Sequence, residues 1–262
     1  MQARCIYFLE RLYLLIIFGF IATPITMIVL FSFNKDRFPG FPWSGFSLRW
    51  YEAILNEPMV IESAINSITV GLSTALGATI IGFLAAYVDY RYKFRGKTAL
   101  NLIVAIPPAI PPTVMGIALL AFFARIGLFG ELKAIAIAHI AIASSFAMAL
   151  IGLRLKELDA SIESAAWNLG ASRLQGIVFV ILPHCRTAIL AAFFLSFAVS
   201  FDEFMIAWFV GGLNETLPVR ILNLLQGQVS PRINAIGTLV FALTFSLVAS
   251  TLWLMRKKQP TT

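Results

Sequence analysis

ESAAWNLGASRLQGIVFVILP, residues Glu163 to Pro183, reads as two short helices joined by a turn, set in a chain otherwise made of long apolar runs. The first helix should begin near Asp159 or Ser161, either of which supplies a capping oxygen. Glu163 then lies in its first turn, where the helix dipole favours negative charge. Ile162, Ala165, Ala166 and Leu169 follow the i, i+3, i+4, i+7 spacing of one helical face, and the alanines among them permit close approach. Gly170 follows at the place of a left-handed cap, Ser172 starts the second helix, and Pro183 is expected to help end it. Two readings stand at this point: a docking element for another protein, or a helical hairpin packed on its own bundle.

Around this hairpin the composition leaves little choice of setting. Of 262 residues 59% are apolar and only 13% charged, and the mean hydropathy is +0.86. A globule of this length could not bury that much apolar surface, so the chain is an integral membrane protein. The formal charge of +7 would suggest a polyanion partner in a soluble protein. In a membrane protein it is explained by orientation, so nucleic acid is not expected as a partner. Cys5 and Cys185 are far apart and only His139 and His184 accompany them, which supports neither a disulfide framework nor a metal site.

Six apolar stretches reach spanning length, at approximately 12–33, 63–88, 99–123, 134–153, 188–210 and 233–255. The first is longer than the apolar core of a signal peptide and is followed by no small-residue cleavage site, so it is expected to be retained. Arg4, Arg11, Arg91, Lys93, Arg95, Lys97, Arg154, Lys156, Arg173, Arg186, Arg256, Lys257 and Lys258 fall on one side of these spans. Lys35, Arg37, Arg49, Arg125, Lys133, Arg220 and Arg232 fall on the other, and the thirteen-to-seven excess predicts that both termini face the cytoplasm. No internal repeat is evident, which speaks against a secondary carrier built from two similar halves.

Inside the predicted spans a few residues break the apolar pattern. AIPPAIPPTVMG places Pro107, Pro108, Pro111 and Pro112 within the third, where each lacks an amide donor and disturbs the preceding turn. A straight helix is not expected there; the freed carbonyls belong either to the wall of a translocation path or to a packing kink. Asp202 and Glu203 fall in the fifth span, where acid is costly and normally faces a cavity, a bundle interior or a counter-charge. Two carboxylates suit a cationic amine; the structural alternatives are pairing with Arg220 or satisfaction at a helix break. His139 reads as a hydrogen-bonded interior histidine, with lining of a path as the second reading. Gly71, Thr74, Ala75, Ala78, Gly82 and Ala85 lie close to one face of the second span and predict tight helix packing. Phe38, Phe41, Trp43, Phe46, Trp50 and Tyr51, between the first two spans, are expected to anchor the chain at the membrane interface.

The order of residues in the hairpin goes further. SAAWNLGAS, with ILP ending thirteen positions after the glycine, resembles the EAA loop of membrane subunits of binding-protein-dependent ABC importers. The similarity runs over nearly the whole chain and points in particular to the second permease subunits of spermidine/putrescine-type importers. SFN at Ser32 to Asn34, RWY at Arg49 to Tyr51, YRYKFRGK at Tyr90 to Lys97 and LPHCRTAILA at Leu182 to Ala191 look like that group, as do SFDEF at Ser200 to Phe204 and LPVRI at Leu217 to Ile221.

The resemblance implies an all-α permease of the type I importer (MetI-like) fold, a single transmembrane domain over 1–262 with six spans and a cytoplasmic coupling loop at about 155–185. It implies that Glu163, Ser164, Ala165, Ala166, Leu169, Gly170 and Pro183 couple the chain to an ATPase; Asp202, Glu203 and the four prolines are candidates for the path on their own chemistry. Ser164 stands where the family usually has glutamate, so the contact made by that glutamate stays open between Glu163 and Ser164. The implied partners are a similar but non-identical permease, two cytoplasmic ATPase subunits, a periplasmic binding protein and membrane lipid, in a bacterial inner membrane. The implied cargo is a polyamine or related cationic amine, with an opine-like compound, an amino acid derivative or an anion as alternatives. A stand-alone channel or secondary carrier is the competing class. RGKT at Arg95 to Thr98 is like the end of a phosphate-binding loop, but that pattern needs glycine at position 91, where Arg91 stands. The chain is therefore expected to be no enzyme and to bind no cofactor, with ATP and Mg used by the partner ATPase.

Overall fold

The computed structural model describes residues 2–37, 40, 42–43, 45–227 and 231–256, the side chains of 2–6, 8, 160, 227, 255 and 256 excepted. Phe38, Phe41, Lys257 and Lys258 lie outside the described residues, as do the side chains of Arg4, Cys5 and Arg256. The elements are helical: α1 (Gln2–Ser32), α2 (Arg49–Leu55), α3 (Pro58–Arg91), α4 (Lys97–Ala105), α5 (Pro112–Arg125), α6 (Leu132–Leu155), α7 (Ala160–Asn168), α8 (Arg173–Gly176), α9 (Leu182–Asp202), α10 (Met205–Val210), α11 (Leu217–Gly227) and α12 (Pro231–Arg256). Among the described residues the only β pairing is an isolated bridge between Asn34 and Phe46.

Leu9–Ser32, Pro58–Arg91, Leu132–Leu155, Arg173–Asp202 and Pro231–Leu254 are five helices long and apolar enough to cross a membrane. The expected span at 99–123 is not one helix. α4 stops at Ala105, a 3-10 turn covers Pro107–Ala109, Ile110 and Pro111 are extended, and α5 restarts at Pro112. The prolines explain the break, since Pro107 and Pro108 remove the amides that Ile103 and Val104 would bond four residues on.

The expected span at 188–210 is corrected at both ends. Arg173–Asp202 is one continuous helix, so the second half of the expected loop at 155–185 is the foot of a spanning helix. Pro183 sits in the first turn of α9 and does not end it. Just before it, Ile177–Ile181 takes the wider π register, and the Leu182 amide reaches back to the Ile177 carbonyl. A proline clashes with the carbonyl four residues back in α geometry, and the shifted register is a known way for a helix to absorb such a residue. At the other end the helix breaks after Asp202, and α10 begins at Met205.

The chain groups into two compact units. In the first, Met1–Ile61 with Ile221–Ala242, the turn after α1 is organised by Trp50. Its indole is buried and donates to the Asn34 carbonyl at 2.7 Å. Trp50 is thus a core side chain and not the interfacial anchor expected, because its one donor finds a backbone partner inside. Tyr51 meets the Ser32 hydroxyl at 2.7 Å, and Phe33 stacks on Phe46 with centroids 4.9 Å apart.

The second unit, Glu62–Arg220 with Leu243–Thr262, holds the tightly packed bundle. The small-residue face of α3 behaves as its sequence predicts. A Cβ on Gly82 would lie 2.5 Å from the Ala147 Cβ and 2.7 Å from the Met148 amide nitrogen, so only glycine allows α3 and α6 to approach this closely. Thr74, Ala75 and Ala78 are fully buried on the same side. Between α3, α6 and α9 a polar contact replaces apolar packing: Ser200 Oγ donates to Thr74 Oγ1 at 3.2 Å and lies 2.9 Å from His139 Nδ1. His139 is accordingly the hydrogen-bonded interior residue expected from the sequence.

Candidate functional site

The hairpin between α6 and α9 is built by local signals. The Asp159 side chain accepts the Ser161 amide at 2.8 Å and opens α7. That bond holds the Asp159 carboxyl below its ordinary value. At the other end Gly170 has φ +89°. The Ala171 amide bonds to the Ala166 carbonyl at 3.0 Å and the Gly170 amide to the Trp167 carbonyl at 2.9 Å, the paired bonds of a Schellman cap. Ser172 then begins α8 with a capping box shared with Gln175.

What the local signals did not foretell is which face of α7 turns inward. The charged residue is buried and the apolar stripe is exposed. Glu163 is 2% accessible, while Ile162 is 48% and Leu169 89% accessible; Ala165 and Ser164 are also exposed and Ala166 is partly covered. Glu163 Oε1 accepts the Tyr87 hydroxyl at 2.8 Å, and Glu163 Oε2 lies 3.1 Å from Arg91 Nε. The Arg91 guanidinium also covers the Trp167 ring, 4.5 Å from its centroid. A buried carboxylate is tolerable when both oxygens are satisfied, and removing one partner typically costs about 3–5 kcal/mol. Tyr87 and Arg91 were not singled out for this site from the sequence, where Arg91 read as a topology anchor. Their only signal is that they stand four apart on α3, and nothing local points to a carboxylate 76 residues away.

Lys97, the lysine of RGKT, is engaged within its own turn: its Nζ meets the Asp89 backbone carbonyl and lies 3.3 Å from Asp89 Oδ1. Asn101 donates to the same carboxylate at 2.7 Å. The turn between α3 and α4 is thereby closed by side chains.

The second set of candidates lies along the spanning helices. Asp202 ends α9 with an exposed side chain; among the described residues its one side-chain hydrogen bond is donated by Thr244, at 3.2 Å. Thr244 stands near the middle of the candidate span Pro231–Leu254, while Asp202 is the last residue of the candidate span Arg173–Asp202. Glu203 has a different task, accepting the Ile206 amide in the first turn of α10 at 3.1 Å and so bridging the break. Pairing of Asp202 with Arg220 is not found: Arg220 lies 3.6 Å from Glu215, which is nearer in the chain, just before α11. Pro108, Pro111 and Pro112 are exposed and Pro107 is partly covered. The structure thus gathers Glu163, Arg91 and Tyr87 into one cluster and leaves Asp202 and the prolines as separate features.

The family model for binding-protein-dependent transport system inner membrane components matches residues 78–260, which takes in the hairpin, Asp202 and the proline break. The chain belongs to that family. Its sequence is 35% identical over 252 residues to the spermidine/putrescine transport system permease protein PotC of Haemophilus influenzae, covering 96% of this chain and 98% of that protein. It is 34% identical over 235 residues to the putrescine transport system permease protein PotI of Escherichia coli, covering 87% and 83%. Among solved structures, a bacterial ABC transporter involved in the import of alginate superposes with a TM-score of 0.72 at 18% identity, covering 99% of each chain. The fold is therefore that of an ABC importer permease, and this family member is a membrane component of such an importer.

Proposed function

We propose that this permease passes a polyamine, delivered by a periplasmic binding protein, across the bacterial inner membrane. It acts as one permease domain beside a similar but non-identical permease, with both termini in the cytoplasm. Two cytoplasmic ATPase subunits use ATP and Mg, and the chain itself neither hydrolyses ATP nor binds a cofactor. The observation that carries the coupling role is the inverted face of α7: Ile162, Ala165 and Leu169 stay exposed while Glu163 is buried. An amphipathic helix on the protein surface normally buries its apolar stripe, and one that leaves it outside is covered by a partner. That support favours the docking reading of the hairpin over packing on its own bundle.

Polyamine cargo is supported by the names of the relatives and by Asp202. A carboxylate set between apolar candidate spans needs a polar or cationic neighbour, and in this subunit it meets only a threonine hydroxyl among the described residues. Helix breaks within a membrane are tolerated where they line a cavity. The test is ATP-dependent uptake of labelled spermidine and putrescine into proteoliposomes holding the assembled transporter and its binding protein. Uptake that requires all components is the expected result. A binding protein that ignores both amines and an assembly that moves neither would overturn the cargo assignment.

A further inference from the structure

The hairpin is tied by chain continuity to α6 on one side and to α9 on the other, and neither tie requires its charged face to be buried. The third attachment is to α3, and α3 contributes to it through side chains. Glu163 and Trp167 stand four residues apart on one face of α7, and Arg91 reaches both, with Nε 3.1 Å from Glu163 Oε2 and its guanidinium 4.5 Å from the Trp167 centroid. Tyr87, one turn back on α3, holds the other carboxylate oxygen at 2.8 Å. The Tyr90 hydroxyl adds a bond to the Leu158 carbonyl, just before α7, at 3.3 Å. Both oxygens of one buried carboxylate are therefore fixed by the same helix.

α3 is in turn fixed to its neighbours along its length. It crosses α6 at Gly82 with no room for a side chain, and it shares the Thr74–Ser200 hydrogen bond with α9. Packed interfaces of this kind shift as units and do not deform continuously.

We infer that Glu163, with Arg91 and Tyr87, is the positioning joint that carries displacement of the hairpin into α3, so that α3, α6 and α9 move together. The inference rests on the coupling role of the hairpin and adds which residues transmit the movement and to which helix. It also assigns the Glu163 carboxylate to its own chain, leaving the exposed stripe around Leu169 to meet the ATPase.

The experiment compares solute imported per ATP hydrolysed in purified, fully assembled transporter carrying Glu163→Gln, Tyr87→Phe or Arg91→Lys, with Leu169→Glu as the reference for the docking stripe. A joint that only held the fold would lower assembly and melting temperature while leaving that ratio unchanged in the complexes that form. The expected result is a ratio reduced about five-fold or more, the scale of a typical coupling between sites, with ATP hydrolysis retained. Should Glu163→Gln fail to assemble, Tyr87→Phe removes a single hydroxyl and carries the same test. An unchanged ratio in the joint variants beside a lowered one in Leu169→Glu overturns the joint and leaves the docking role standing. An unchanged ratio in all four overturns both.

Discussion

Ser145 of α6 donates its hydroxyl to the carbonyl of Val104 in α4, and that carbonyl is one that Pro108, four residues on, leaves without an amide. In lipid such a group has no water to turn to, so the proline break is paired with a donor on the neighbouring helix. Ser145→Ala should lower the melting temperature of the purified protein, at a cost of about 1 kcal/mol for one interhelical hydrogen bond in a membrane. Ser145→Thr, which keeps the hydroxyl, should retain most of the stability. An alanine variant as stable as the parent would mean that the Val104 carbonyl has a second donor.

Gly170 has φ +89° with nothing within 4 Å of where a Cβ would stand, so a side chain there meets backbone strain and no clash. Gly170→Val should cost about 1–2 kcal/mol of local geometry and redirect α8 relative to α7. In proteoliposomes the expected result is continued ATP hydrolysis with strongly reduced uptake. Gly170→Asn should be much milder, because asparagine tolerates the left-handed region. Equal, normal uptake in both variants would remove the hairpin from coupling.

The ends of the hairpin are written locally and were legible for that reason: Asp159, Gly170 and Ser172 act through bonds to residues at most five positions away. Five long apolar helices were legible because membrane length and apolar composition are properties of a continuous run, whereas the span expected at 99–123 is broken by its prolines. The inward turn of Glu163 was not, since the Tyr87 and Arg91 that bury it are brought close only by the packing of α3 against α6 and α9. Pro183 misled for a related reason. Its sequence signal is that of a helix stop, and the register change over Ile177–Ile181 that accommodates it is a backbone choice with no residue code. The break after Asp202 likewise has neither proline nor glycine to mark it, and is bridged by the Glu203 side chain, which accepts the Ile206 amide.

Orientation can be read by labelling. With single cysteines introduced by Ser47→Cys or Ser161→Cys in a background lacking Cys5 and Cys185, an impermeant maleimide applied to intact cells should modify only the first. Position 47 lies between α1 and α3, on the side poorer in basic residues, and position 161 lies in the hairpin. Modification at position 161 in sealed cells would reverse the orientation and put the hairpin out of reach of any cytoplasmic ATPase.

Asp202 offers the sharpest test of the cargo. Its carboxylate is exposed on this subunit beside Thr244, and Arg220 is engaged by Glu215, so among the described residues no internal counter-charge accounts for it. If it meets a cationic amine, Asp202→Asn should lower uptake by roughly tenfold or more, the worth of one hydrogen bond to a charged group. Assembly and ATP binding should survive, because asparagine keeps the size and can still accept from Thr244. Thr244→Val removes that bond and leaves the charge, and is expected to cost some stability while uptake persists. Combining Asp202→Asn with Arg220→Gln should give additive effects and no rescue, since the two groups share no contact. Normal uptake by a stable Asp202→Asn transporter would take the carboxylate off the path, and polyamine cargo would then rest on the relatives alone.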